Sequence, residues 1–146
     1  MTGRNDRRRN PLENYQQIEI DSMKLAVVVF KIVEKVNHGF KFTVGDGMTK
    51  AVAALGADVR RAVKYVSAPQ KVKYLSRAKH SLEELDFLFE VAFFGGIISD
   101  EDKVKYDIEQ GLVSGQLKAF LSSQSNKMAY ARRSPSASNS PGAISE

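Results

Sequence analysis

The sequence predicts an all-α fold, an up-down-up-down four-helix bundle, on three observations. Apolar residues recur at alternating spacings of three and four along extended segments, the pattern of a helix with one buried stripe. Short punctuation rich in Gly, Pro and Ser separates those segments, so that consecutive helices must pack as antiparallel neighbours. No strand alternation of useful length, βαβ pattern or internal repeat interrupts them. With 146 residues the chain is long enough for one domain with a sizeable core. The expected organisation is a disordered basic arm over 1–10, the bundle over 11–125 and a disordered Ser/Pro-rich tail over 126–146.

The first helix is expected from about Leu12 to Asn37, ended by Gly39, with Ile18, Met23, Leu25, Val28, Val29, Ile32, Val33 and Val36 in its core stripe. Val27, Val28 and Val29 favour strands, yet the long stretch without Gly or Pro argues for helix. Its apolar face is broad enough to be buried on two sides, by the bundle and by a neighbouring subunit. Phe40 to Val44 reads as a connector, and Gly45-Asp46-Gly47 as a flexible start to the second helix, whose stripe is Met48, Val52, Leu55, Val59, Ala62 and Val66. Ser67 and Pro69 mark a new N-terminus. The third helix is the most regular, with Leu75, Ala78, Leu82, Leu85, Phe89 and Ala92 inward and Gly95-Gly96 as its stop. Ser99 caps a fourth helix whose first turn carries Asp100, Glu101 and Asp102, favourable at the positive end of the dipole. That helix is expected to reach about Ser123, with Val104, Ile108, Leu112 and Leu117 inside. Gly111 and Gly115, four apart, would let another helix come close.

Composition removes several classes of chemistry. The chain has no Cys, which excludes disulfides, thiolate metal sites and cysteine nucleophiles and fits a reducing cytoplasm. Its two histidines, His38 and His80, stand in no ligand spacing, and His38 beside Gly39 reads as a surface or capping residue. Glu83, Glu84, Asp86 and Glu90 form an acidic run, but no Glu-x-x-His motif accompanies it as in ferritin-like bundles. Gly45-Asp46-Gly47 lacks the Gly-Lys-Ser/Thr element of a phosphate loop. No catalytic residue, metal ligand or cofactor is therefore expected. Met1 to Asn10 is polar and Arg-rich, unlike a secretory signal, and the apolar run Leu25 to Phe30 between Lys24 and Lys31 is too short to cross a membrane. The expectation is a cytoplasmic protein.

Charge carries the strongest functional signal. Lys50 to His80 holds eight basic residues against Asp58, a local +7, whereas Ser81 to Glu109 holds nine acids against Lys103 and Lys105, a local −7. The overall +5 hides this polarity. Arg60, Arg61, Lys64, Lys71, Lys73, Arg77 and Lys79 are the candidate phosphate contacts, positioning structured RNA or DNA with little base readout. Lys73, Arg77 and His80 share one helix face. Tyr65 and Tyr74 are placed either to stack on unpaired bases or to close the end of the bundle. The same cations are alternatively a solvated face, or the partner of the acidic half of a neighbouring subunit, a head-to-tail pairing that closes into rings.

Tyr74-Leu75-Ser76-Arg77-Ala78-Lys79-His80-Ser81-Leu82-Glu83-Glu84-Leu85 resembles the third helix of a family of small four-helix bundles. That family includes the 23S rRNA intervening-sequence proteins and the accessory variability determinant (Avd) proteins of diversity-generating retroelements. Ala92 to Ser99, with its Gly-Gly-Ile-Ile-Ser, resembles the family's turn into helix four, Gly111 to Leu117 its glycine-bearing fourth helix, and Phe40 to Asp46 the Avd-type approach to helix two. The resemblance spans roughly Tyr15 to Ser123. Arg61 to Ser67 departs from the Asn-Ile-Ala-Glu-Gly-like end of helix two in the intervening-sequence branch, which favours the Avd-type branch, although the Trp common in that branch's fourth helix is absent. The resemblance implies a barrel-like homopentamer with a basic surface and no catalysis of its own. It further implies binding to a reverse transcriptase and its template RNA in support of mutagenic cDNA synthesis. From the residues alone, a protein-interaction scaffold and, more remotely, a metal-dependent bundle enzyme stand as alternatives.

Overall fold

The computed structural model describes residues 11–133, with side chains from Tyr15 to Arg132. Four long helices form an antiparallel bundle: α1 (Pro11–Lys35), α2 (Asp46–Lys64), α3 (Ala68–Phe94) and α4 (Asp100–Arg133). Each packs on its chain neighbours, and α1 closes the square against α4. The expected arm over 1–10 and the tail from 134 onward lie outside the described residues. Residues 126–133 of the expected tail instead continue α4, which runs ten residues past Ser123 with no Gly or Pro to stop it. No helix among the described residues is long and apolar enough to cross a membrane.

The punctuation acts as read at two of the three turns. Ser67 Oγ accepts the Gln70 N–H at 3.4 Å with Pro69 in the first turn of α3, and Ser99 Oγ accepts the Asp102 N–H at 3.1 Å. After α3, Gly96 takes φ 70°, and the Ile97 N–H donates to Ala92 O at 2.8 Å while the Gly96 N–H donates to Phe93 O at 3.1 Å. This left-handed cap is open to glycine at little cost.

The α1–α2 connection differs. Helix α1 stops at Lys35, ahead of Gly39, and the Asn37 side chain accepts the Gly39 N–H at 3.0 Å to start a helical turn over His38–Phe40. A π-helical turn over Lys41–Gly45 then runs straight into α2, so the expected connector is itself helical. Gly45 and Gly47 are packing residues here: a Cβ on Gly45 would lie 3.1 Å from Val33, and one on Gly47 3.0 Å from Leu88.

The core contains the expected stripes of α2 and α3 with one exception, Val66, which follows α2 and is 91% exposed. On α4 the inward face differs from expectation. Val104, Ile108 and Leu112 point outward and Tyr106 and Val113 are buried instead, while Leu117 is buried as expected. Tyr106 stacks on Phe89 with ring centroids 3.7 Å apart, and its hydroxyl donates to Asp86 Oδ1 at 2.5 Å, which satisfies the polar end of a buried ring. Helix α4 thus has apolar residues on both faces, and the face that finds a hydrogen-bond partner for its tyrosine turns inward. Met23 of α1 is likewise half exposed, in line with Ile20, Val27 and Phe30 on an outward apolar ridge.

Candidate nucleic-acid interface

Helices α2 and α3 carry all seven candidate cations, but the hairpin distributes them over different surfaces. The organising residue is Asp58, the lone acid of the basic segment, which is 4% exposed. Arg61 Nη1 donates to its Oδ1 at 2.9 Å, and Arg77 Nε lies 3.6 Å from its Oδ2, so one carboxylate orients a guanidinium from each helix. Both guanidiniums border the Tyr74 ring, Arg61 at 6.0 Å and Arg77 at 5.5 Å from its centroid, and the Lys73 ammonium lies at 5.3 Å. Tyr74 also stacks on Tyr65, with centroids 5.4 Å apart and planes 6° from parallel. The result is a cationic and aromatic cluster at the hairpin bend, where Tyr65 reaches solvent.

The remaining candidates lie elsewhere. Arg60 points toward α1 and donates to Glu19 at 2.7 Å. With Lys64 it edges a groove of about 460 Å³ between α1 and α2. Lys79 turns to the α3–α4 side, near Glu83, Asp86 and Lys118. Within the described residues Lys64, Lys73 and Lys79 take part in no ion pair.

Lys71 departs furthest from the sequence expectation. Its ammonium donates to Ala62 O at 2.8 Å and lies 4.2 Å above the Tyr15 ring. Tyr15 in turn stacks on Phe120 and accepts from Gln124 Nε2 at 2.8 Å. Lys71 therefore ties α3 to α2 and α1 at the pole of the bundle instead of offering its charge to a ligand. Burial, followed by the nearby Lys127 charge, pushes its pKa down. Lys127 is a basic neighbour that sequence inspection left in the tail. Its one signal was the absence of a helix stop after Ser123.

The acidic half is also differentiated. Burial raises the Asp86 pKa against the opposing effect of the Tyr106 hydrogen bond, and Gln110 Nε2 donates to its second oxygen at 3.0 Å. Burial, reinforced by Asp86, holds the Tyr106 hydroxyl far above its ordinary range, so it stays a donor. Glu90 pairs with Lys103 at 3.3 Å, while Glu83 and Glu84 are exposed. Among the described residues no three His, Asp or Glu side chains come together in a metal-holding group.

No protein-family model and no curated protein matches the chain. The fold is similar to a crystal structure of a protein of unknown function from the S23 ribosomal protein family of Bacteroides thetaiotaomicron VPI-5482. The similarity has a TM-score of 0.69 at 16% identity and covers 75% of this chain and 98% of that one.

Proposed function

We propose that the protein is a non-catalytic nucleic-acid-binding accessory protein of a diversity-generating retroelement. It binds the reverse transcriptase and structured template RNA, as a cytoplasmic homo-oligomer, and takes no cofactor. The observation that carries this is the cluster at the α2–α3 bend: two stacked tyrosines with Arg61, Lys73 and Arg77 arranged around Tyr74. Aromatic faces and adjacent cations are what an unpaired nucleotide and its phosphate require, and neither needs a particular base. The fold similarity to a member of the S23 ribosomal protein family supports RNA as the partner, and the resemblance of Phe40 to Asp46 to the Avd-type approach to helix two supports that branch.

An electrophoretic mobility shift over a salt series tests the proposal, with structured RNA, duplex DNA and single-stranded DNA as probes. Binding should weaken steeply with salt, and Lys73→Glu should weaken it about equally on unrelated sequences. Tyr74→Ala should lower affinity for unpaired RNA by about 1–3 kcal/mol and leave duplex DNA less affected. Wild-type protein that ignores every probe at physiological salt would establish instead an interaction scaffold. The exposed apolar ridge of α1 is the observation that favours this second reading.

A further inference from the structure

Helix α4 outreaches the bundle at the end that carries the Tyr74 cluster. Gln124 donates to Tyr15 at 2.8 Å and the Lys71 ammonium lies over the Tyr15 ring, so these three residues mark one level near that end. Beyond this level α3 has three more residues, back to Ala68, or about 5 Å of helix. Helix α4 has nine more, on to Arg133, or about 13 Å. Its last turns therefore stand past the α2–α3 bend, and no described residue after Gln124 is buried. What these turns carry is charge and one exposed ring. Lys127, Tyr130 and Arg132 face solvent, Tyr130 at 72% exposure. Lys127 and Tyr130, three apart, share a helix face. From Gln110 to Ser145 the chain holds no Asp or Glu and has Lys118, Lys127, Arg132 and Arg133. The helix dipole favours cations at a C-terminus, which accounts for neither the exposed tyrosine nor the missing acids.

The two ends of the bundle differ in how charge is answered. The far end mixes both signs: Lys35, Lys50 and Lys103 pair with Asp102, Asp46 and Glu90, and Asp100 and Glu101 stay exposed beside them. A phosphate chain meets repulsion there. At the near end Lys64, Lys73, Lys127 and Arg132 take part in no ion pair within the described residues, and Glu19 is already taken by Arg60. The segment that carries Arg4, Arg7, Arg8 and Arg9 joins α1 at this same end.

We propose that α4 beyond Gln124 is a second nucleic-acid contact, in which Lys127 and Arg132 meet phosphates and Tyr130 stacks on an unpaired base. One RNA strand then crosses the end of the bundle between the Tyr65–Tyr74 stack and α4. Helix α3 lies between α2 and α4 in the square, and packed neighbours are about 8–10 Å apart, so a strand of roughly 20 Å spans the two contacts. Unpaired RNA suits this surface better than a duplex, because each contact offers a ring to a free base face as well as cations to the backbone. The inference rests on RNA as the partner in the proposed function. It adds a site on another helix, and it orients the bundle end-on, with the α3–α4 turn away from the nucleic acid.

The absence of cysteine from the chain makes the test direct. Full-length Tyr130→Cys and Glu101→Cys proteins each carry a thiol-linked photocrosslinker and are irradiated with a labelled, unstructured uridine-rich RNA. The label at position 130 should cross-link and the label at position 101 should not. Equal yields, or cross-linking at 101 alone, would overturn the end-on contact. Mobility shifts with the same RNA supply the second arm. Tyr130→Ala should lower affinity about 5- to 150-fold. The double variant Lys127→Gln and Arg132→Gln should reduce the salt slope by about 1.4. Both should keep the wild-type urea midpoint, since none of these side chains is buried. If Lys73→Glu weakens RNA binding while the α4 variants bind as wild type, the second contact is overturned, the Tyr74 site stands, and the end of α4 is left to a protein partner. Wild type that binds no RNA overturns the proposed function, and the α4 contact with it.

Discussion

Lys71 offers the sharpest separation between a charge that binds and a charge that holds the fold. Replacing it by Met keeps the stem and removes the ammonium, and with it the 2.8 Å bond to Ala62 O and the 4.2 Å approach to the Tyr15 ring. A hydrogen bond from a charged donor contributes about 1.5–3 kcal/mol. A partly desolvated cation–π contact contributes about 0.5–2 kcal/mol. The lowered pKa of Lys71 records a desolvation cost that offsets part of both. The expected net loss is about 2 kcal/mol. With a urea dependence of about 1–3 kcal/mol per molar, the unfolding midpoint should fall by roughly 1 M, followed by circular dichroism at one fixed protomer concentration. Lys73→Met, on an exposed side chain, should move the midpoint by less than about 0.5 kcal/mol equivalent. RNA affinity should order the two variants the other way: below the transition Lys71→Met binds like wild type, and Lys73→Met binds more weakly with a salt slope reduced by about one unit or slightly less. The reasoning fails if Lys71→Met leaves the midpoint in place and loses RNA affinity as Lys73→Met does.

Three other outcomes follow from the geometry. Gly96→Ala forces a side chain into φ 70° and should cost about 1–2 kcal/mol, whereas Gly111→Ala on the open face of α4 meets nothing within 4 Å and should stabilise an uncovered helix by about 1 kcal/mol. A destabilised Gly111→Ala protein in thermal melts would mean that a partner covers that face. Asp86 binds its proton more tightly folded than unfolded, so the associated stability is present below the unfolded pKa and is lost as pH rises through the folded one. Asp86→Asn keeps an acceptor for Tyr106 but does not titrate; its stability relative to wild type should rise from acid toward neutral pH, and a flat difference in urea titrations would rule this out. Tyr106→Phe leaves Asp86 with Gln110 alone and should cost about 1–3 kcal/mol, read as a lowered unfolding midpoint with the Phe89 stack retained.

The four helices, the caps at Ser67 and Ser99, the glycine stop at Gly96 and the inward stripes of α2 and α3 are legible in the sequence. Those features are local: a cap bonds three residues away, and a helix with one apolar face has one way to turn. The inward face of α4 required the tertiary structure, because Val104, Ile108 and Leu112 are as apolar as the residues it buries, and Asp86 from another helix decides between them. The long α1 ridge is ambiguous for the same reason. Part of the candidate site was legible as composition, since Arg61, Lys73 and Arg77 and both tyrosines meet at one bend. Which cations are free was not legible. Arg60 is held by Glu19, 41 residues away, Arg77 by Asp58 on the neighbouring helix, and Lys71 by a backbone carbonyl and a ring from α1. A charge count along the chain registers all of these equally, and only packing assigns each charge to a neighbour or to solvent.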